Sequence, residues 1–192
     1  MYAQIKNYFK NLLPEITDNE WQAYQDCLTF RYVKKGDFLL KEDAVCNHVS
    51  FINKGMIRFY MLVEDKEICT GFFIENQYVA SYESFLTRKP TTFNIEAIED
   101  TELLDLSYDQ LQKLYKTHPI FQIFGRLIAE YLFIFISQRT TSLLLLTPEQ
   151  RYQKLISNNS ALLQRVPQYM LASYVGVTPE HLSRIRRKMS TS

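Results

Sequence analysis

Between Phe30 and Leu106 the chain breaks into eight short runs rich in β-branched and aromatic residues: RYVKK, DFLLKE, VSFINKG, MIRFYMLV, EICTGFFI, QYVAS, TFNIEAI and TELLDLS. Turn signals such as Lys35-Gly36-Asp37, Asn53-Lys54-Gly55 and Glu64-Asp65-Lys66 fall between them. Several short strands at near-regular spacing predict an antiparallel barrel or sandwich. Two helices precede it. Ile5, Tyr8, Phe9, Leu12 and Leu13 recur at helical spacing until Pro14 ends the run. Thr17 or Asp18 caps a second helix to about Leu28, with Trp21 and Tyr24 on one face.

Beyond the strands the pattern turns helical. Ser107 has the chemistry of an N-cap for SYDQLQKLYKTH, and Pro119 opens a helix running to about Leu146. At 25 or more residues that helix would span about 40 Å, more than a small barrel can cover. Phe124, Ile128, Tyr131, Phe135, Gln138, Ser142 and Leu145 keep a 4-3-4-3 spacing, the mark of a coiled-coil-like seam. One face on the barrel and one on a sister helix accounts for the pattern; a long core helix of a monomer fits it too. Glu130, Gln138 and Arg139 interrupt the apolar stretch from Leu127, so no membrane span is expected. The amphipathic start, MYAQIKNYFKNLLPEI, lacks the apolar core of a signal peptide. A soluble, cytoplasmic protein is expected.

Residue usage narrows the chemistry. The five glycines are never closer than 16 residues, which excludes a Walker A loop and a dinucleotide fingerprint. Cys27, Cys46 and Cys69 are too few and too scattered for a disulfide framework, a zinc site or an iron–sulfur cluster. Cys46-Asn47-His48 has no second cluster to complete a metal site, so no metal is expected. No Ser/His/Asp or Cys/His arrangement has supporting context, and neither an enzyme nor a cofactor is expected. The net charge of +1 points to no partner until the chain is divided. Residues 147–192 carry seven basic side chains against two acidic, and the preceding 146 carry 15 against 19. An acidic body with a basic end suggests nucleic acid, although a solvated basic tail has the same composition.

In that basic end, Thr147-Pro148-Glu149 starts a helix and Asn158-Asn159-Ser160 punctuates it. Met170, Leu171 and Val175 then form one short apolar face, and Leu182, Ile185 and Met189 another, with Gly176 between. Thr178 caps the second helix, with Pro179 at its first position and Glu180 in its first turn. Two short helices joined by a tight turn make a helix-turn-helix, and a generic αα-hairpin with a basic surface shares the spacing. Glu180, His181 and Arg184 point outward from the N-terminal half, the part of a recognition helix that reaches base edges. Glutamate accepts from cytosine N4, and arginine forks to guanine O6 and N7. Arg186, Arg187 and Lys188 lie further along, placed for phosphates or solvent.

The order of a glycine-punctuated β-rich region, a long helix and a terminal helix-turn-helix resembles the Crp/Fnr family of bacterial transcription regulators. KKGDFLLKED, FINKGMIRFYM, EAIEDTELLDLS and LASYVGVTPEHLSRIRRK carry the resemblance, which covers nearly the whole chain. It implies an α+β fold: a double-stranded β-helix, or jelly roll, of the cyclic nucleotide-binding type with flanking helices. Glu180 and Arg184 fall where the family's base-contacting Glu and Arg fall; Pro179 stands where many members carry a polar or basic residue. The family's phosphate-binding cassette is altered. In VASYESFLTRKPTTFNI, Ala80-Ser81 replaces Gly-Glu and Thr91-Thr92 replaces Arg-Ser, leaving Arg88 and Lys89 as the nearby cations of a shifted register. Cyclic AMP is therefore not expected as the effector. The residues LASYVGVTPEHLSRIRRK stand close to Ser192, so the β-hairpin wing common in the family is not expected here.

The expected organisation is a sensor domain over 1–117, a dimerisation helix over 118–146 and a DNA-binding domain over 147–192. Expected DNA contacts are Gln168, Thr178, Glu180, His181, Arg184, Arg187 and Lys188. Ala80, Ser81, Tyr82, Thr91 and Thr92 would face an effector pocket, and Phe124, Ile128, Tyr131 and Phe135 a dimer seam. The partners implied are double-stranded DNA, a second copy of the chain, RNA polymerase and a small effector of unknown identity. The rival reading is a small-ligand sensor module that regulates a protein partner.

Overall fold

The computed structural model describes residues 1–158 and 162–190. The break expected at Asn159-Ser160 and the chain end at Ser192 lie outside them. The chain opens with α1 (Ala3–Leu12) and α2 (Asp18–Gln25). Thr17 is the cap of α2: its hydroxyl accepts the Glu20 N–H at 3.2 Å, and the Glu20 carboxylate accepts the Thr17 N–H at 2.9 Å. This reciprocal arrangement satisfies two N–H groups that the first turn leaves without helical partners.

The eight runs become β1 (Leu28–Val33), β2 (Phe38–Leu40), β3 (His48–Lys54), β4 (Ile57–Val63), β5 (Lys66–Phe73), β6 (Tyr78–Val79), β7 (Asn94–Ala97) and β8 (Thr101–Ser107). They form two four-stranded sheets, ordered β1-β8-β3-β6 and β2-β7-β4-β5, the two halves of a jelly roll. β8 pairs antiparallel with β1 and β3, and β7 antiparallel with β2 and β4. Alternation along the strands brings Val33, Ile52 and Leu103 of the first sheet against Ile57, Phe59 and Ile95 of the second. Phe73 and Phe93 close on Phe59 with ring centroids 4.9 and 6.0 Å away. Gly55 makes the β3–β4 turn at φ +98°, with Asp100 and Thr101 pressed against its Cα.

The helical elements are α3 (Tyr82–Thr87), α4 (Tyr108–Thr117), α5 (Ile120–Leu145), α6 (Pro148–Asn158), α7 (Leu162–Arg165), α8 (Gln168–Val175) and α9 (Pro179–Ser190). The Ser107 cap is present, its hydroxyl accepting the Gln110 N–H at 3.3 Å. α3 carries no periodic apolar stripe and gave no helical signal in the sequence. α5 is long and apolar enough to cross a membrane by length and composition, with a mean hydropathy of 1.6. Only 17% of its most apolar 18 residues are buried, so the helix presents a broad apolar surface.

The chain divides into two compact units, residues 1–61 with 71–129 and residues 62–70 with 130–192. The tip of the β4–β5 hairpin belongs to the second unit with the C-terminal helices. Ser173 of α8 holds it there: its hydroxyl donates to the Glu67 carbonyl at 2.9 Å and accepts the Cys69 N–H at 2.8 Å. Beside it the Arg139 guanidinium lies 3.8 Å from the centre of the Tyr174 ring and donates to the Tyr174 carbonyl. Arg151 donates to the Val175 carbonyl at 2.7 Å and the Leu146 carbonyl at 2.8 Å, satisfying groups at the ends of α8 and α5.

In the first unit, α1, α2 and the start of α5 share an aromatic cluster. Phe9 stacks on Phe124 at 4.5 Å and Tyr24 on Phe121 at 5.6 Å. Two of the four residues expected at a dimer seam lie in this cluster or beside it. Phe124 and Ile128 are 3% and 7% exposed, claimed by the chain's own core. Tyr131 is exposed and Phe135 half-buried. The open side of α5 carries Ile123, Ile134 and Ile136, with Phe133 at 72% and Leu144 at 76% exposure. The apolar stripe read from the sequence exists, but its first half faces the roll.

Candidate functional site

The basic surface is built on α8 and α9. Gly176 ends α8 in the left-handed region at φ +80°, where its N–H bonds the Ala172 carbonyl at 2.9 Å. Two residues later the Thr178 hydroxyl accepts the His181 N–H at 3.3 Å and starts α9. Leu182 and Ile185 are buried, as are Met170, Leu171 and Val175 of α8, so the two helices close on an apolar seam. That burial fixes which side of α9 is free. Glu180, Arg184, Arg187 and Lys188 are exposed, and His181 is half-buried.

His181, Arg184 and Lys188 recur at i, i+3 and i+7, one face of a helix. With Ile185 and Glu149 of α6 they line a cleft of about 250 Å3. Glu149 was not expected there. Its carboxyl is held below the ordinary carboxylate range by its own backbone N–H first and Thr147 next, with Lys188 and His181 nearby. Glu180 is held low in the same way, by its own N–H and the Thr178 hydroxyl, with Arg184 adding a smaller attraction. Both stay anionic beside these cations. Gln168 lies at the other edge. Its amide nitrogen donates to the Pro179 carbonyl at 3.2 Å and to the Ser183 hydroxyl, so it braces α9 against α8.

The residues expected to face an effector pocket lie in the first unit. Ser81 and Thr91 are buried and hydrogen-bond to each other at 2.8 Å, and Thr91 also accepts the Phe93 N–H at 3.1 Å. Two small hydroxyls thus satisfy one another at positions 81 and 91. Tyr82 opens α3, and burial raises its phenol; Ala80 is half-buried and Thr92 is exposed. Arg88 is committed elsewhere. At φ +59° it ends α3, donates to the Cys46 carbonyl at 2.8 Å, the Phe85 carbonyl at 3.2 Å and the Asn47 side chain, and lies over the Tyr108 ring at 4.3 Å. Among the described residues no group of three His, Cys, Asp or Glu side chains is arranged to hold a metal.

Residues 30–118 match the family model described as the cyclic nucleotide-binding domain. No curated protein matches the sequence. Among solved structures, FixK2 from Bradyrhizobium japonicum is 16% identical with a TM-score of 0.75, each chain covered over 85%. A putative transcriptional regulator of the crp/fnr family from Eubacterium rectale is 17% identical with a TM-score of 0.73, covering 96% of this chain and 88% of that one. The c-di-GMP responsive global regulator CLP of Xanthomonas campestris is 16% identical with a TM-score of 0.71, over 91% and 92%. These likenesses show a shared fold over at least 85% of each chain.

Proposed function

We infer that the chain is a DNA-binding transcription regulator of the Crp/Fnr type, acting as a homodimer on a two-fold operator. One observation carries this reading. α9 turns Leu182 and Ile185 into the protein and leaves Arg184 and Lys188, with His181 beside them, on its open side. In this reading α8 and α9 are a helix-turn-helix, and α9 enters the major groove N-terminal end first. The exposed apolar side of α5 supports a dimer, since so large a patch seldom stays in water. Residues 1–117 serve as the sensor domain, with an effector altering the pose of two reading heads.

The reading is tested on the two cations. A duplex selected from a random pool is compared with random duplex, for the unmodified chain and for each variant. Arg184→Ala is expected to weaken the selected duplex by about 1–3 kcal/mol and to relax selectivity at one position per half-site. Lys188→Ala is expected to weaken all sequences alike and to flatten the salt slope by about one unit. Equal losses for Arg184→Ala on selected and random duplex would remove base reading and favour a sensor module acting on a protein partner.

Cyclic AMP is expected to leave the melting temperature unchanged. Positions 80–81 and 91–92 hold neither a carboxylate for the ribose nor a cation for the phosphate, Ser81 and Thr91 are already bonded, and Arg88 is committed to the Cys46 carbonyl. A ligand at 100 times its dissociation constant would stabilise the fold by about 2.7 kcal/mol, well within reach of a thermal scan. A clear rise at millimolar cyclic AMP would overturn this expectation.

A further inference from the structure

In the jelly roll lies a polar group of side chains that the function above does not use. Val33, Ile52 and Leu103 point between the sheets, so Arg31, Ser50 and Asp105, each two residues away, project from the same face. Asp105 is buried, and its Oδ2 lies 2.7 Å from Nε of Arg31. The Nε–H is not aimed at that oxygen, so the contact is an ion pair, not a directional hydrogen bond. Nη2 of Arg31 donates to Asp105 Oδ1 at 3.3 Å and to the Ser50 hydroxyl at 3.4 Å. Nη1 has no partner among the described residues.

Arg31 and Ser50 border a cavity of about 260 Å3, with Leu40 and Ile95 on its apolar side and Asn47 and His48 at an exposed mouth. That volume lies just under the range of pockets for drug-sized ligands, so it suits a smaller molecule. The charge arithmetic selects its class. Arg31 and Asp105 carry opposite charges that sum to zero, so an added anion meets no net positive charge. An added cation would be repelled by the guanidinium. An uncharged carbonyl or amide oxygen, by contrast, supplies the acceptor that Nη1 lacks, while a short apolar body covers Leu40 and Ile95.

We propose that this cavity is a binding site for a small uncharged molecule bearing a carbonyl or amide acceptor, oriented by Arg31 and Ser50. Ala80 also borders the cavity, directly before Ser81 and α3, so occupancy would bear on the altered cassette from its open side. Binding stands on the cavity alone; only its use as an effector site rests on the regulator reading.

The test uses three probes with one butyl-length body: butyramide, butyrate and n-butylammonium. Each is titrated into the full chain, and the backbone amide resonances of Ser50 and Ala80 are followed by NMR. Butyramide is expected to shift both saturably, and to bind at least about tenfold tighter than either charged probe, the value of one hydrogen bond to a charged donor. Arg31→Gln should abolish the shifts, but it leaves Asp105 buried without its partner. The paired variant Arg31→Met with Asp105→Leu removes donor and acid together and keeps the interior neutral; it is expected to fold and to lose the butyramide shifts. Thr91→Val should keep them. Butyrate binding as tightly as butyramide, shifts that survive the paired variant, or no saturable shift with any probe would each overturn the proposal. DNA affinity is measured on the same samples. A chain that binds butyramide but no duplex would retain the site and lose the regulator reading.

Discussion

A chain carrying Phe133→Asp and Ile134→Asp is expected to sediment as a monomer and to bind a two-half-site duplex at least about 100-fold more weakly than the unmodified chain. The loss of affinity comes from bivalency. Two reading heads held by one dimer make the second contact intramolecular, which is worth about 100-fold to 10,000-fold without any new contact. The loss of assembly comes from the side of α5 that is open. Phe133 and Ile134 are 72% and 53% exposed, so aspartate there meets water in a monomer and costs its fold little. Across a dimer seam the same aspartates would be desolvated charges without partners. Ile128 cannot serve this purpose, because charging it would unfold the core it occupies. Sedimentation at tens of micromolar and anisotropy on a half-site and a full-site duplex measure both effects. A double variant that stays dimeric, or an unmodified chain that is already monomeric, would refute the assignment.

Gly55→Ala is expected to destabilise the first unit by about 2–4 kcal/mol, read as a lower denaturation midpoint with unchanged slope. Two costs add. At φ +98° an L side chain is strained wherever it has room, and here it has none. A methyl at Gly55 would lie 2.5 Å from Thr101 Oγ1, 2.6 Å from the Asp100 carbonyl oxygen and 2.8 Å from Thr101 Cα. Two of those atoms are backbone, so relief requires parting β8 from the β3–β4 turn. Gly36→Ala is the control. It shares the left-handed backbone at φ +86° but has nothing within 4 Å, so it is expected to show the strain alone. Equal losses at both positions would mean that the close approach contributes nothing.

Much of this architecture was legible in the sequence, for reasons of local chemistry. Turn residues and β-branched runs announce strands through preferences that act within four or five residues, and all eight runs became strands. Thr17, Ser107 and Thr178 announced helix starts because a hydroxyl at that position has one local use. The direction in which a stripe faces is not local. Phe124 and Ile128 share the spacing of a seam, yet the rings of Phe9 and Tyr24, about a hundred residues earlier, decide what the start of α5 packs on. The same holds in the candidate sites. Arg184 and Lys188 are legible from a basic helix end, whereas Glu149 beside them arrives on another helix. Ser173 reads as an ordinary polar residue, and no periodicity shows that its hydroxyl holds a distant hairpin.

That hairpin has a consequence for how the protein is made. The β4–β5 tip leaves the ribosome with its anchor still unwritten, since Glu67 and Cys69 wait 106 and 104 residues for Ser173. At cellular translation rates that is a delay of about 5–20 s, long against the microseconds in which a hairpin forms. The jelly roll can assemble during that interval, whereas the hairpin tip must remain in water until α8 has emerged. Pulse proteolysis of stalled nascent chains is expected to find residues 62–70 open to cleavage until synthesis has passed α8, and closed afterwards. The jelly roll would thus be assembled early, while the tip of this hairpin is among the last parts of the chain to be covered.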